Sequence, residues 1–216
     1  MRRRCHGRKP DGGEALIRVV LVEDQELVRD AIARLLNWEG DIAVVATAAD
    51  GREGLMAVRA HEPDVALLDI ELPALDGLAL AEAVRTESPR TVVAMLTTFG
   101  RPGYVQRALA AGARGFLLKE QPVARLAEDI RRLKGGAVVI DEELAVAALA
   151  SGANPLTERE REILGRVAEG SDLPGIAVAL HLSPGTVRNY LSTAIQKLGS
   201  SNRFEAARRA REHGWL

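Results

Sequence analysis

The stretch DVALLDIELPALDG, residues 64–77, decides the fold. Its apolar run at 65–68 ends abruptly in Asp69, and Glu71, Pro73 and Gly77 follow. A carboxylate at the tip of a buried strand is costly unless something pairs with it. Pro73 and Gly77 mark a turn directly beyond it. Asp69 therefore needs partners, and the neighbouring runs ought to supply them.

Working outward, the same unit recurs. Short β-branched runs at 17–22, 42–46, 65–68, 91–96 and 114–118 alternate with amphipathic stretches near 26–37, 51–61, 76–86, 102–111 and 122–134. Runs apolar on both faces, alternating with helices, imply a parallel sheet covered on both sides. The pattern predicts an α/β, doubly wound, five-stranded parallel sheet over residues 16–135. Residues 136–154 hold Asp141, Glu142 and Glu143 and no base, and read as an acidic linker with one helical turn or two. No strand pattern follows Pro155. Residues 155–216 read as an all-α domain of four short helices, at 158–169, 173–180, 184–198 and 203–213. Residues 1–15 are basic, glycine-containing and aperiodic, which predicts a disordered tail.

Composition narrows the function classes. With 216 residues the chain is long enough for two small domains, and 47% hydrophobic residues fit an ordinary globular protein. No apolar stretch approaches the roughly 18 residues that a membrane span needs. The basic N-terminus has no apolar segment behind it and does not read as a secretory signal. A single cysteine, Cys5, rules out an intrachain disulfide and a zinc site built on cysteines, which fits a cytoplasmic location. Charge is uneven. Residues 15–137 hold 15 Lys/Arg against 18 Asp/Glu, whereas residues 183–216 hold six Lys/Arg against two Glu. The C-terminal end is therefore the one suited to a polyanion.

In an open parallel sheet, function gathers beyond the carboxyl ends of the strands. This chain sets Glu23 and Asp24 after the first strand, Asp69 after the third, Thr97 at the end of the fourth and Lys119 at the end of the fifth. Crowded carboxylates repel and raise one another's pKa. A hard divalent cation resolves that conflict, and Mg2+ commonly couples one or two carboxylates to a phosphate. Lys119 and the Thr97 hydroxyl can each hold a phosphoryl oxygen, leaving Asp69 as a nucleophile toward a phosphoryl donor. Taken singly, each residue has a plainer role: Asp24 as a helix cap, Lys119 as a surface lysine. Five such residues on four of five strand ends favour the joint reading. Asp76 is expected only to cap the third helix.

The motifs LVEDQ, LLDIELPALDG, MLTTF and GFLLKE, in this order, resemble a two-component receiver domain over residues 17–135. The resemblance implies a flavodoxin-like sheet, with Asp69 as phospho-acceptor and a cognate sensor histidine kinase as donor. It further implies Mg2+ bound by Glu23, Asp24, Asp69 and the backbone carbonyl of Glu71. Thr97 would be the switch hydroxyl and Lys119 the phosphoryl contact. Phe116 stands at the switch aromatic position, often a Tyr, so no hydroxyl is available there for the readout.

The stretch LSPGTVRNYLSTAIQKLG carries strong helix signals, with Ser183 as N-cap and Pro184 at the first helical position. Val187, Leu191, Ile195 and Leu198 fall on one face. Arg188, Asn189, Ser192, Thr193 and Gln196 fall on the other, with Lys197 and Arg203 flanking. Arg reads guanine and Asn or Gln reads adenine in the major groove, while hydroxyls take phosphates or bases. The preceding DLPGIAVALHL would be the scaffold helix of a helix-turn-helix pair. PLTEREREIL, IAVALHLSPGTVRNYLS, KLG and NRFEAARRAREHGWL resemble the LuxR/FixJ (NarL) type of reader over residues 155–216. Pro174-Gly175 departs from the polar and acidic residues usual there, removes the capping-box acid and predicts a weaker helix start.

By that resemblance the last helix dimerises, with Ala206, Ala207 and Ala210 permitting close approach. TTFGRPGYVQRAL and GTVRNYLS look closest to regulators of membrane-lipid desaturase genes. The resulting expectation is a cytoplasmic, homodimeric, phosphorylation-controlled transcription regulator that binds promoter DNA and is not an enzyme. Two other readings share part of the pattern. An Asp-nucleophile phosphohydrolase would typically need a second Asp where Glu71 stands, and a cap domain. A phosphorylation-independent DNA-binding protein would keep the receiver only as a vestige.

Overall fold

A computed structural model of the protein describes residues 16–98, 102–150 and 154–216. The tail expected over 1–15 and residues 151–153 of the linker lie outside the described residues. The N-terminal elements are β1 (Ile17–Val22), α1 (Glu26–Trp38), β2 (Ile42–Ala48), α2 (Gly51–His61), β3 (Val65–Asp69), α3 (Gly77–Glu87), β4 (Val92–Thr97), α4 (Pro102–Ala110), β5 (Gly115–Leu118) and α5 (Val123–Lys134). All five expected strands form, and a sixth, β6 (Val139–Ile140), joins the sheet's edge. The order is β2-β1-β3-β4-β5-β6, with every pairing parallel.

That order reverses between β1 and β3, which puts the switch point of the sheet between the strands that end at Glu23 and Asp69. Alternate residues face opposite sides. Val19 and Leu21, Val65 and Leu67, and Ala94 and Leu96 pack with Leu36 of α1 and with Leu126, Ile130 and Leu133 of α5. On the α2 side the approach is close. A Cβ on Gly54 would lie 2.8 Å from a Val22 methyl. Burying a side chain such as Leu67, wholly inaccessible here, contributes roughly 1.5–3 kcal/mol.

β6 lengthens the first unit. It is only two residues long, but the Val139 N–H donates to the Arg114 carbonyl at 2.8 Å and Phe116 pairs with Ile140. The described residues divide into two compact units. One runs to Thr98 and resumes over Ala108–Asp141, while the other groups the first part of α4, up to Arg107, with Glu142–Leu216. The first unit thus extends past the expected boundary at 135 because β6 belongs to its sheet. Beyond it, the linker forms α6 (Glu142–Ala150), longer than the one or two turns expected.

The second unit holds α7 (Glu158–Ala168), α8 (Leu173–Ala179), α9 (Pro184–Lys197) and α10 (Arg203–Glu212). α7 starts with a capping box in which Thr157 and Glu160 satisfy each other's backbone N–H. α8 has no such box. Asp172 caps it alone, accepting from the Gly175 N–H, and it is the shortest of the four. Ser183 caps α9 by accepting from the Thr186 N–H. Val187, Leu191 and Ala194 of α9 and Leu198 just past its end are buried, with Ile195 packed at the margin of the same core. Ala206, Ala207 and Ala210 are buried in this core as well. Their small side chains let α10 approach its own domain, so they are not the free contact surface that the dimerisation expectation assigned to them.

Candidate functional site

Strand register delivers the acidic cluster. β1 and β3 lie side by side, and each ends where an apolar run meets an acid. Glu23 is fully buried, Asp69 is 6% exposed and Asp24 is exposed. One carboxylate oxygen from each lies within 4.8 Å of the others. Asp24 does not cap α1, because the N-cap position belongs to Gln25. The Ile70 N–H donates to Asp69 Oδ1 at 2.7 Å, which fixes one side of that carboxylate.

Lys119 closes the cluster. Its Nζ lies 2.6 Å from Glu23 Oε2 and 2.9 Å from Asp69 Oδ2, and the side chain is only 7% exposed. The Lys119 N–H donates to the Thr97 carbonyl at 2.8 Å, so the end of β4 carries Thr97 and Lys119 as a unit. Thr97 is itself buried. Burial, opposed by the Lys119 hydrogen bond and reinforced by the Asp69 charge, holds the Glu23 carboxyl above the usual range. Asp69 is raised in the same way, with Asp24 adding to the effect. Burial alone would lower Lys119, but its two carboxylate partners outweigh that and raise it. Three carboxylates facing one ammonium leave a surplus of negative charge around hard oxygen donors. That donor set fits Mg2+, whose charge would offset the surplus.

The loop after Asp69 is tightly built. Asp76 caps α3, accepting from the N–H groups of Leu78 and Ala79 as expected. A Cβ on Gly77 would lie 1.9 Å from the Asp69 carbonyl oxygen, so only glycine lets α3 start this close to the acceptor. Glu71 lies in this loop and is exposed. Ala74 is left-handed, with φ 64°. Ala74→Gly is therefore expected to raise stability by about 0.5–1 kcal/mol, read as a higher urea midpoint with an unchanged m-value. Sequence reading missed Arg29, whose guanidinium donates to the carbonyls of Glu23, at 2.6 Å, and Asp24, at 3.3 Å. No pattern in the sequence marks that contact. Phe116 is 1% exposed and lies beside Met95 of β4 and Ile140 of β6.

The second candidate surface is α9. Arg188, Asn189, Ser192, Thr193 and Gln196 are all exposed on the face opposite the core. The Thr193 hydroxyl donates back to the Asn189 carbonyl, and Arg188 Nε donates to the Pro184 carbonyl at 3.3 Å. Lys197 differs from the expected DNA contact. Its Nζ donates to Glu160 Oε2 at 2.7 Å, and Glu160 is 3% exposed, so the ammonium braces α9 against α7. The turn before α9 carries His181 in a left-handed conformation, φ 52°, and Arg159 ties α7 to it by donating to the Leu180 carbonyl. No helix among the described residues is long and apolar enough to cross a membrane.

Comparison with known proteins gives the same two parts. The response regulator receiver domain family matches residues 19–131, and the bacterial regulatory proteins, luxR family, match residues 154–210. The transcriptional regulatory protein DesR of Bacillus subtilis (strain 168) is 42% identical over 93% of this chain and 100% of its own length. YvfU of the same organism, an uncharacterized transcriptional regulatory protein, is 44% identical with the same coverage. Among solved structures, the response regulator ChrA of a heme-sensing two-component system is 31% identical, with a TM-score of 0.57 over 94% of this chain and 100% of that one. The chain accordingly belongs to the two-component response regulators of the LuxR family, transcriptional regulators in which a receiver domain precedes a LuxR-type DNA-binding domain.

Proposed function

We propose that Asp69 is the phospho-acceptor of this regulator and that its phosphorylation controls promoter binding by α9. The observation that carries the reading is the buried triad of Glu23, Asp69 and Lys119, with Asp24 at its mouth. A carboxylate oxygen of Asp69 attacks the phosphorus of a phosphohistidine on a sensor kinase. The new O–P bond forms as the N–P bond breaks, and the electron pair returns to the histidine nitrogen. Glu23, Asp24, Asp69 and the Glu71 carbonyl are the groups that would hold Mg2+, which supplies charge neutralisation for the transferred phosphoryl. Lys119 then exchanges its bond to the Asp69 carboxylate for one to a phosphoryl oxygen, and the Thr97 hydroxyl holds another.

Movement of Thr97 and Lys119 repacks the β4–β5 end of the sheet around Phe116. A phenylalanine has no hydroxyl to desolvate there, so packing alone carries the signal. The phosphorylated form favours a homodimer that presents two copies of α9 to half-sites on double-stranded DNA. Arg188, Asn189, Ser192, Thr193 and Gln196 form the reading face, with Lys197 bracing it. The protein acts as a cytoplasmic switch and not as an enzyme with turnover.

Intact mass after incubation with acetyl phosphate and Mg2+ tests this. The expected gain is one phosphoryl group, localised to Asp69 and lost with EDTA. A gain at another residue, or no gain even from a cognate kinase, would leave the alternative of a phosphorylation-independent DNA-binding protein.

A further inference from the structure

One cation next to α9 stands apart from the contacts described so far. Most arginines of the second unit are engaged: Arg159 with Glu162, Arg208 with Glu212, Arg209 with Glu205 and the Leu198 carbonyl. Among the described residues no carboxylate or hydrogen-bond acceptor pairs with Arg203, the first residue of α10, and its Nε is buried without a partner. Its guanidinium instead lies over the Phe204 ring, 4.6 Å from the centroid. Phe204 is 60% exposed, so it adds little to the core. What it does is hold a charged group in place.

The location gives that group a purpose. Arg203 and Phe204 line an open groove of about 430 Å³. Arg188 and Ser192, both on the reading face of α9, line it too, with Leu191 and Ile195 beside them, and among the described residues no carboxylate does. Two guanidinium groups with no acid between them favour an anion at the groove's mouth, and its continuity with α9 selects the anion. We infer that Arg203, stacked on Phe204, is a preformed contact to a DNA backbone phosphate outside the recognition helix. The inference rests on the DNA-binding reading of α9. Phosphate contacts set register and orientation but carry no sequence information, so Arg203 fixes how α9 enters the groove rather than which bases it reads. The ring orders the guanidinium before binding and lowers the entropy lost on contact. Phe204 is a positioning residue.

Fluorescence anisotropy of the full chain with a 30-base-pair duplex of arbitrary sequence, titrated across a series of NaCl concentrations, tests this. Arg203→Gln should reduce the slope of log K against log salt by about one, the share of a single phosphate contact. Arg203→Lys should keep the slope. Phe204→Leu should keep it too and weaken binding about two- to fivefold. A wild-type slope in Arg203→Gln would overturn the inference. So would a slope lowered as much in Arg203→Lys, because charge is intact there and the loss would be one of folding. If Phe204→Leu instead weakens self-association in sedimentation and leaves DNA binding unchanged at equal dimer concentration, the pair is a dimer contact and the inference falls. Wild type that binds no duplex at low salt would defeat the DNA reading itself.

Discussion

Asp69→Asn is expected to gain no phosphoryl group from acetyl phosphate or from a kinase, while folding at least as well as the wild type. The two halves of that expectation have separate causes. The amide oxygen of Asn can still accept the Ile70 N–H that now meets Asp69 Oδ1 at 2.7 Å, so the loop after β3 keeps its anchor. Asn has no anionic oxygen, so the nucleophile is gone. The substitution also removes one of two buried carboxylates that repel each other, since the Asp69 charge helps to raise Glu23. Lys119 keeps Glu23 as its partner at 2.6 Å. Loss of phosphorylation together with an unchanged or raised urea midpoint would assign the effect to chemistry. Loss of both would assign it to folding, and Asp69 would then be a structural residue. A variant that still takes up one phosphoryl group would move the acceptor elsewhere. DNA binding in the two states gives the downstream check, with the variant showing no response to the donor.

Asp69 was legible in the sequence because it breaks a rule locally. An apolar run that ends in a charge signals a strand tip, and parallel topology then says which tips converge. Glu23, Asp24, Thr97 and Lys119 could be placed by the same logic without coordinates. β6 could not, because a two-residue strand shows no periodicity and Val139 reads as ordinary linker. Arg29 escaped for a different reason. It donates to carbonyl oxygens, and a backbone acceptor leaves no trace in residue type.

In the second unit the helices and the exposed face of α9 followed from spacing and capping, but the roles of two flanking cations did not. Lys197 and Glu160 are 37 positions apart, and only the fold shows that they meet. Arg203 looked like Lys197 in the sequence and has the opposite standing, since no acid among the described residues pairs with it. The three alanines of α10 show the same limit. A stripe of small residues reports a close approach without saying whether the partner is α7 or another chain. Here the partner is the chain's own core.

Lys119→Met is expected to destabilise the metal-free protein by about 3 kcal/mol at neutral pH, because it removes the ammonium that faces two buried carboxylates. The environment is dry, with side-chain exposures of 7% at Lys119, 0% at Glu23 and 8% at Asp69. Solvent therefore cannot replace the ammonium. Both carboxyls already lie above their ordinary values of 4.5 and 3.8 in the folded protein. A carboxyl whose folded pKa is raised binds its proton more tightly folded than unfolded, so folding loses stability as pH rises past the ordinary value. Without Lys119 that loss grows. The difference between variant and wild type should be small in mild acid and widen toward neutrality, as read by urea melts across pH. Added Mg2+ stabilises both proteins but should narrow the gap, because without the ammonium the variant's carboxylates hold the cation more tightly, and each tenfold difference in Kd is worth about 1.4 kcal/mol. Phosphoryl transfer should not recover in parallel. The ammonium that meets a phosphoryl oxygen is absent whether or not the acids are neutralised, and the loss of one such contact costs about a hundredfold or more in rate. Stability restored by Mg2+ with transfer still slow would separate the structural role of Lys119 from its role toward the phosphoryl group. A gap that does not depend on pH would mean that the lysine does not hold Glu23 and Asp69 in their charged forms.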